Sequence, residues 1–113
     1  MKLGFLGCGK MATALVGGVV GAGVFPAESI VVYDHIPEAA GALARQTGVT
    51  AAESAEALAQ AADALVVCVK PADALDALRA LSGGLSGKLV ISIAAGLSIA
   101  RLEDAVGLSA RVI

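Results

Sequence analysis

Aromatic and basic residues are scarce in this sequence. Phe5, Phe25 and Tyr33 are the only aromatic residues, and Trp is absent. Eight Lys and Arg against ten Asp and Glu give a formal net charge of −2, and the basic residues form no cluster. Nucleic-acid-binding surfaces need a basic patch, and those that hold single strands also need stacking rings. The composition therefore argues against a nucleic-acid-binding protein.

Metal-ligating and nucleophilic residues are also few. His35 is the only histidine, and Cys8 and Cys68 are the only cysteines. Because their spacing fits no metal site, we predict no bound metal and two reduced, buried thiols rather than a disulfide. Cys8 is either an oxidant-sensitive thiol or a space-filling residue, and the second interpretation is favoured. Ser92 has no histidine or second base beside it, so it is not predicted to be a nucleophile.

A membrane span is missing as well, although 58% of the residues are hydrophobic and the mean hydropathy is +0.85. The longest charge-free stretch, Met11–Ala27, is short for a transmembrane helix and contains four glycines and Pro26. Gly17 and Gly21 have the spacing of a membrane helix-pairing motif, but small residues equally let a helix lie close to a sheet. The apolar excess fits a parallel sheet buried on both faces. We therefore predict a single cytoplasmic domain with no membrane partner.

The most informative stretch is a short apolar run, Leu3–Leu6, which leads into Gly7-x-Gly9-x-x-Ala12 and a segment rich in Ala, Val and Gly. This order is typical of a strand, a glycine turn and a helix that bind a dinucleotide. Gly7 permits the tight turn, Gly9 lets the backbone approach a pyrophosphate, and Ala12 lets helix and strand pack closely. The alternative is a tight turn with no ligand. The dinucleotide interpretation places phosphates at the helix N-terminus and assigns cofactor binding to Gly7, Cys8, Gly9, Lys10, Met11 and Ala12.

Apolar runs alternate with helical segments along the whole chain. The predicted strands are Lys2–Leu6, Ser29–Asp34, Val49–Ala51, Ala64–Val69, Lys88–Ile93 and Arg111–Ile113. The predicted helices are Lys10–Ala22, Pro37–Thr47, Ser54–Ala61, Pro71–Leu81 and Ile99–Val106. Pro37 and Pro71 fit a first helical turn, Ser98 fits an N-cap, and Gly48 and Gly107 fit left-handed helix ends. The alternation predicts an α/β fold: a Rossmann-like, doubly wound parallel sheet in three α/β/α layers.

Ligands of such sheets bind beyond the carboxyl ends of the strands. Asp34 ends the second predicted strand, 22 residues beyond Ala12, where a carboxylate accepts hydrogen bonds from the adenosine ribose. The alternative is a surface turn residue, since acids are common in such loops. His35, beside it, is expected to be exposed or near the adenosine rather than a catalytic base.

Two further strand ends are predicted to contribute to the site. In Val69-Lys70-Pro71 an apolar strand ends in a cation, so Lys70 either contacts the ribose on the nicotinamide side or is solvated. The small residues Ala94, Ala95 and Gly96 follow the fifth strand and leave room for a flat ring. The predicted cofactor contacts at these joints are Val69, Lys70, Pro71, Ala94, Ala95 and Gly96, and the catalytic residues stay unassigned.

The segments Gly4–Ala12, Val69–Pro71 and Ile91–Ile99 resemble those of pyrroline-5-carboxylate reductase, in register over nearly the whole chain. The resemblance implies a Rossmann domain that binds NADPH or NADH in an oxidoreductase that reduces 1-pyrroline-5-carboxylate to L-proline, in proline biosynthesis. It also implies a helical domain, absent from this chain, that dimerises and completes the substrate site. Because the chain stops within a predicted strand, we expect a piece of a longer protein that is inactive by itself.

This chain departs from the family at two places. Many members carry polar or basic residues suited to a 2′-phosphate after the second strand, whereas Asp34 here favours NADH unless His35 or Arg45 compensates. Ser54-Ala55 replace an Asn that members often place near the cofactor, which leaves that contact open. Two other functions share the glycine turn. One is a reductase of the 3-hydroxyacid dehydrogenase type, against which the last two motifs argue, and the other is a non-catalytic nucleotide-sensing module.

Overall fold

The computed structural model describes residues 1–69, 71–81, 84–93 and 111–112. Its centre is a parallel sheet whose strands are β1 Leu3–Leu6, β2 Ile30–Tyr33, β3 Thr50–Ala51, β4 Ala64–Val67, β5 Leu89–Ser92 and β6 Arg111–Val112. The order across the sheet is β3-β2-β1-β4-β5-β6. Each predicted strand is confirmed, and the first five are slightly shorter than predicted.

The described helices are α1 Lys10–Gly21, α2 Pro37–Thr47, α3 Ala55–Ala61 and α4 Pro71–Leu81. Pro37 stands in the first turn of α2, and Gly48 ends that helix with a φ of +83°, as predicted. Ser54 caps α3, because its Oγ accepts a hydrogen bond from the Ala57 N–H at 3.0 Å. None of these helices combines the length and apolar character needed to cross a membrane. The predicted helix Ile99–Val106, with its flanking Ser98 and Gly107, lies outside the described residues.

Successive strand residues point to opposite faces of the sheet, and both faces are buried. One apolar cluster joins the sheet to α1 and α2 and includes Phe5, Val16, Val32, Leu43 and Val66. The other joins the opposite face to α3 and α4 and includes Leu58, Leu65, Val67, Leu78 and Val90. This is the predicted three-layer arrangement. A sheet buried on both faces also explains why the strands read as continuous apolar runs.

The chain reverses its direction of travel across the sheet at β1. It moves from β1 through β2 to β3 on one side and then crosses to β4 on the other side. Leu6 at the end of β1 pairs with Tyr33 of β2 and with Val67 of β4. The carboxyl ends of β1, β2 and β4 therefore lie side by side, at the switch point where such sheets bind ligands.

An apolar groove of about 380 Å³ remains open on the α1 side of the sheet, over β4 and β5. Its lining residues are all apolar: Met1, Leu3, Phe5, Leu15, Val19, Phe25, Ala64, Val66, Leu89, Ile91 and Ile93. Parallel sheets are normally covered on both faces. Among the described residues, this part of the sheet therefore presents an apolar face.

Candidate functional site

Two connected concavities lie at the switch point. A cavity of about 270 Å³ is lined by Leu6, Gly7, Tyr33, Asp34, His35, Ala55, Val69, Asp73 and Ala77. An adjoining groove of about 400 Å³ is lined by Gly7, Gly9, Asp34, His35, Ile36, Cys68, Val69 and Asp73. The loops after β1, β2 and β4 thus surround one continuous space, which is large enough for part of a nucleotide.

The glycine turn leads from β1 to α1 and leaves the helix N-terminus open. Gly7 has a φ of +102°, a conformation that residues with a side chain rarely adopt. A β-carbon on Gly9 would meet no atom within 4 Å. The N-cap of α1 is Gly9, so no side chain caps the helix, and no acidic residue occupies its first turn. Ala12 is fully buried against the sheet. The turn therefore offers free backbone N–H groups and room for an anion.

The Asp34 carboxylate fastens the loop after β2 to the glycine turn. Its Oδ2 accepts a hydrogen bond from the Cys8 N–H at 2.7 Å, and its Oδ1 accepts one from the Ile36 N–H at 2.9 Å. The Asp34 side chain is only 12% exposed. Asp34 is therefore not a solvent-facing turn residue. The carboxylate lines both concavities with its charge held in place by two backbone donors.

His35 lies at the rim of the site. Its side chain is 81% exposed, and its Nδ1 is 3.4 Å from Oδ1 of Asp34. It lines both the cavity and the groove. The exposure of its side chain agrees with the first of the two expected positions.

The cysteines are free thiols beneath the site. Burial, then the negative charge of Asp34 and that of an ionised Cys68, raises the pKa of Cys8 to about 12. Burial raises the pKa of Cys68 to about 11. Both thiols are therefore protonated at neutral pH, and the thiolate is the reactive form. This supports the space-filling interpretation of Cys8.

The remaining predicted contacts divide into two groups. Val69 lines both concavities, and Pro71 begins α4 as expected. Lys70, Ala94, Ala95 and Gly96 lie outside the described residues. Sequence reasoning missed the other wall of the cavity, which Asp73 and Ala77 of α4 form. Their spacing of four residues places both on one face of α4 and is the signal that could have revealed this wall.

The parallel sheet has the strand order of a dinucleotide-binding Rossmann domain. The glycine turn before an uncapped helix and the carboxylate after β2 are the other two features that define this class. The chain belongs to the family described as NADP oxidoreductase, coenzyme F420-dependent, whose model matches residues 2–96. Within that class it is similar to pyrroline-5-carboxylate reductases. It is 39% identical over 113 residues to the enzyme of Escherichia coli strain K12, covering 99% of this chain and 42% of that protein.

Other relatives agree. The pyrroline-5-carboxylate reductase of Methanosarcina acetivorans is 34% identical over 113 residues and is covered to 42%. The crystal structure of the Plasmodium falciparum pyrroline carboxylate reductase with NADP bound has a TM-score of 0.87 at 35% identity, over 99% of this chain and 40% of that one. The Coxiella burnetii pyrroline-5-carboxylate reductase has a TM-score of 0.92 at 27% identity, over 98% and 42%. The resemblance seen in the sequence is confirmed, and the chain spans roughly two-fifths of these relatives.

Proposed function

We propose that this chain is the dinucleotide-binding domain of a pyrroline-5-carboxylate reductase. The whole enzyme would reduce 1-pyrroline-5-carboxylate to L-proline with NADH or NADPH, as a step of cytoplasmic proline biosynthesis. The observation that carries the proposal is the open N-terminus of α1 beside Gly9, where a β-carbon would meet no atom within 4 Å. The names of the relatives supply the substrate. The net charge of −2 supports a small-molecule ligand rather than nucleic acid.

The residues at the switch point fit a nicotinamide dinucleotide. The N–H groups of the first turn of α1 and the positive end of its dipole would hold the pyrophosphate. Asp34 would face the adenosine ribose from the loop after β2. When bound, the nicotinamide supplies the hydride for the imine carbon of the substrate. The chain's own contribution is to bind the cofactor and to fix its orientation at the strand ends.

Asp34 supports a preference for NADH over NADPH. Its two oxygens accept the Cys8 and Ile36 N–H groups at 2.7 and 2.9 Å, so the side chain is not free to turn away from an incoming 2′-phosphate. At 12% exposure the carboxylate is also poorly screened by water. The expected cofactor is therefore NADH.

We also propose a second, helical domain that dimerises and completes the substrate site. The relatives are more than twice as long as this chain, which covers 42% of the first of them. The groove over β4 and β5 has an apolar lining among the described residues, which suits a covering element of the same polypeptide.

Calorimetry with the purified chain tests the binding half of the proposal. We expect weak binding of NADH and weaker binding of NADPH, since only one side of the site is present. Binding of neither dinucleotide at millimolar concentration would contradict it. Reading the gene past Ile113 tests the other half. An open frame that encodes further helices is expected of the enzyme, whereas an immediate stop codon would favour a nucleotide-sensing module.

A further inference from the structure

Asp73 is an acidic residue of the site that the motifs do not explain. It stands in the first turn of α4 and lines both the cavity and the groove. Its side chain is exposed, and it makes no hydrogen bond or ion pair with any other residue in the described part of the chain. A carboxylate therefore faces the ligand space with its acceptor capacity unused.

The walls around Asp73 have the character of a site for a heterocyclic base. Leu6, Val69 and Ala77 give the cavity apolar surfaces, and Tyr33 adds an aromatic ring. Among the described lining residues the polar groups are few, as is usual where a flat ligand must be oriented. The pyrophosphate would lie at the glycine turn and the ribose at Asp34. The base attached to that ribose would then occupy this cavity of about 270 Å³.

We propose that Asp73 determines base specificity by accepting a hydrogen bond from the exocyclic amino group of adenine. This inference rests on the proposed function, because it assumes that a dinucleotide occupies the site. An ionised carboxylate only accepts hydrogen bonds. Adenine carries this amino donor at the ring position where hypoxanthine, like guanine, carries a carbonyl acceptor. Asp73 therefore attracts adenine and repels hypoxanthine.

A purely structural role for Asp73 predicts a different result. An acid in the first turn of a helix interacts favourably with the helix dipole. That interaction affects the stability of the fold and is independent of the base. The two roles are separated by comparing ligands that differ only at the base, on variants whose thermal stability is measured in parallel.

The experiment measures the dissociation constants of the purified chain for NADH and for reduced nicotinamide hypoxanthine dinucleotide. We expect the wild type to bind NADH about three- to tenfold more tightly, as one hydrogen bond at a partly exposed site would give. In Asp73→Ala this ratio should fall close to one, mainly through weaker NADH binding. In Asp73→Asn it should also fall, because the amide can donate to the carbonyl of hypoxanthine. Asp76→Asn is the matched control, since Asp76 lies on the same helix, is 83% exposed and pairs with Arg79 at 3.5 Å.

The outcomes distinguish this inference from the function beneath it. No NADH binding by the wild type would contradict the proposed function itself. Intact NADH binding with the same base ratio in wild type and both Asp73 variants would overturn the role of Asp73 alone. An equal loss of affinity for both dinucleotides would also overturn it and would assign Asp73 to the helix. If Asp73→Ala proves too unstable to measure, Asp73→Asn carries the test.

Discussion

A β-carbon on Gly7 would lie 2.9 Å from Cγ1 of Val69, closer than real side chains approach, whereas one on Gly9 would meet no atom within 4 Å. Gly7 also has a φ of +102°, which favours glycine regardless of space. The first glycine is therefore required by the fold of the chain alone. The second is not, which fits the prediction that a ligand approaches the backbone there.

Gly9→Val should abolish dinucleotide binding and leave the melting temperature nearly unchanged. A branched side chain there would occupy the space of the pyrophosphate without touching the protein. Gly7→Ala, in contrast, should destabilise the fold, because alanine at a positive φ is strained. Calorimetry gives the affinity for NADH, and thermal denaturation gives the stability.

Gly17→Val is the matched control for this prediction. Gly17 is an exposed glycine of α1 whose added β-carbon would also meet no atom within 4 Å, and it lies away from the turn. The Gly17→Val variant should bind NADH as tightly as the wild type does. Equal affinities of wild type and Gly9→Val would remove the glycine turn from the binding site.

Asp34→Ser should shift the preference of the longer enzyme toward NADPH by roughly tenfold or more. Repulsion between a carboxylate and a phosphate about 4 Å apart is on the order of 1 kcal/mol in water and several times larger where water is excluded. Asp34→Asn should give a smaller shift with less disturbance, because it keeps one acceptor for the Cys8 or Ile36 N–H. The ratio of kcat/KM for the two cofactors is the readout.

The control for the Asp34 variants is Glu38→Gln. Glu38 is an exposed acid in the first turn of α2, close in sequence and equal in charge. Its replacement should leave the cofactor ratio unchanged. An unaltered ratio in both Asp34 variants would mean that the carboxylate serves only to hold the glycine turn.

Much of the fold could be predicted because the strong signals are local. The apolar run Leu3–Leu6 indicates a buried strand, and Gly48 indicates a helix end, without any information about distant parts of the chain. The position of Asp34 at a strand end was predictable for the same reason. Its bond to the Cys8 N–H was not, because the partners are 26 residues apart and meet only once β1 and β2 pair in register. Asp73 was missed because only the packing of α4 brings its first turn to the cavity.

Two Gly→Ala changes should alter stability in opposite directions. A β-carbon on Gly4 would lie 2.7 Å from that of Ala62 and 3.0 Å from Cδ1 of Leu58. Gly4→Ala should therefore destabilise the fold by about 1–3 kcal/mol through overpacking. Gly18 is exposed in α1 with no atom near its added β-carbon, so Gly18→Ala should stabilise it by about 0.5–1 kcal/mol. Urea denaturation measures both. A stabilising Gly4→Ala would show that α3 does not press on β1.

The buried Cys8 and the partly buried Cys68 should make the fold less stable in alkaline solution. The pKa of Cys8 is raised from 9.0 to about 12 and that of Cys68 to about 11. Above the unfolded value the unfolded chain loses protons that the folded chain keeps, so stability falls as the pH rises from about 9 toward 11. Melting temperatures of wild type and Cys8→Ala across this range test the idea. The wild type should lose more stability than the variant, and parallel curves would contradict burial of the thiol.

The chain alone should not reduce 1-pyrroline-5-carboxylate above background, even at cofactor concentrations that fill its site. Hydride transfer needs the imine at reacting distance from the nicotinamide, and such positioning contributes roughly 7–11 kcal/mol of barrier lowering. The substrate carries a carboxylate, yet no Lys or Arg is among the described residues that line the cavity and groove, whose charged groups are Asp34 and Asp73.

The loss of absorbance of reduced nicotinamide, with and without substrate, measures the rate. The Escherichia coli relative serves as the positive control. Rapid substrate-dependent oxidation by this chain would place the substrate site within it and remove the need for a second domain in catalysis.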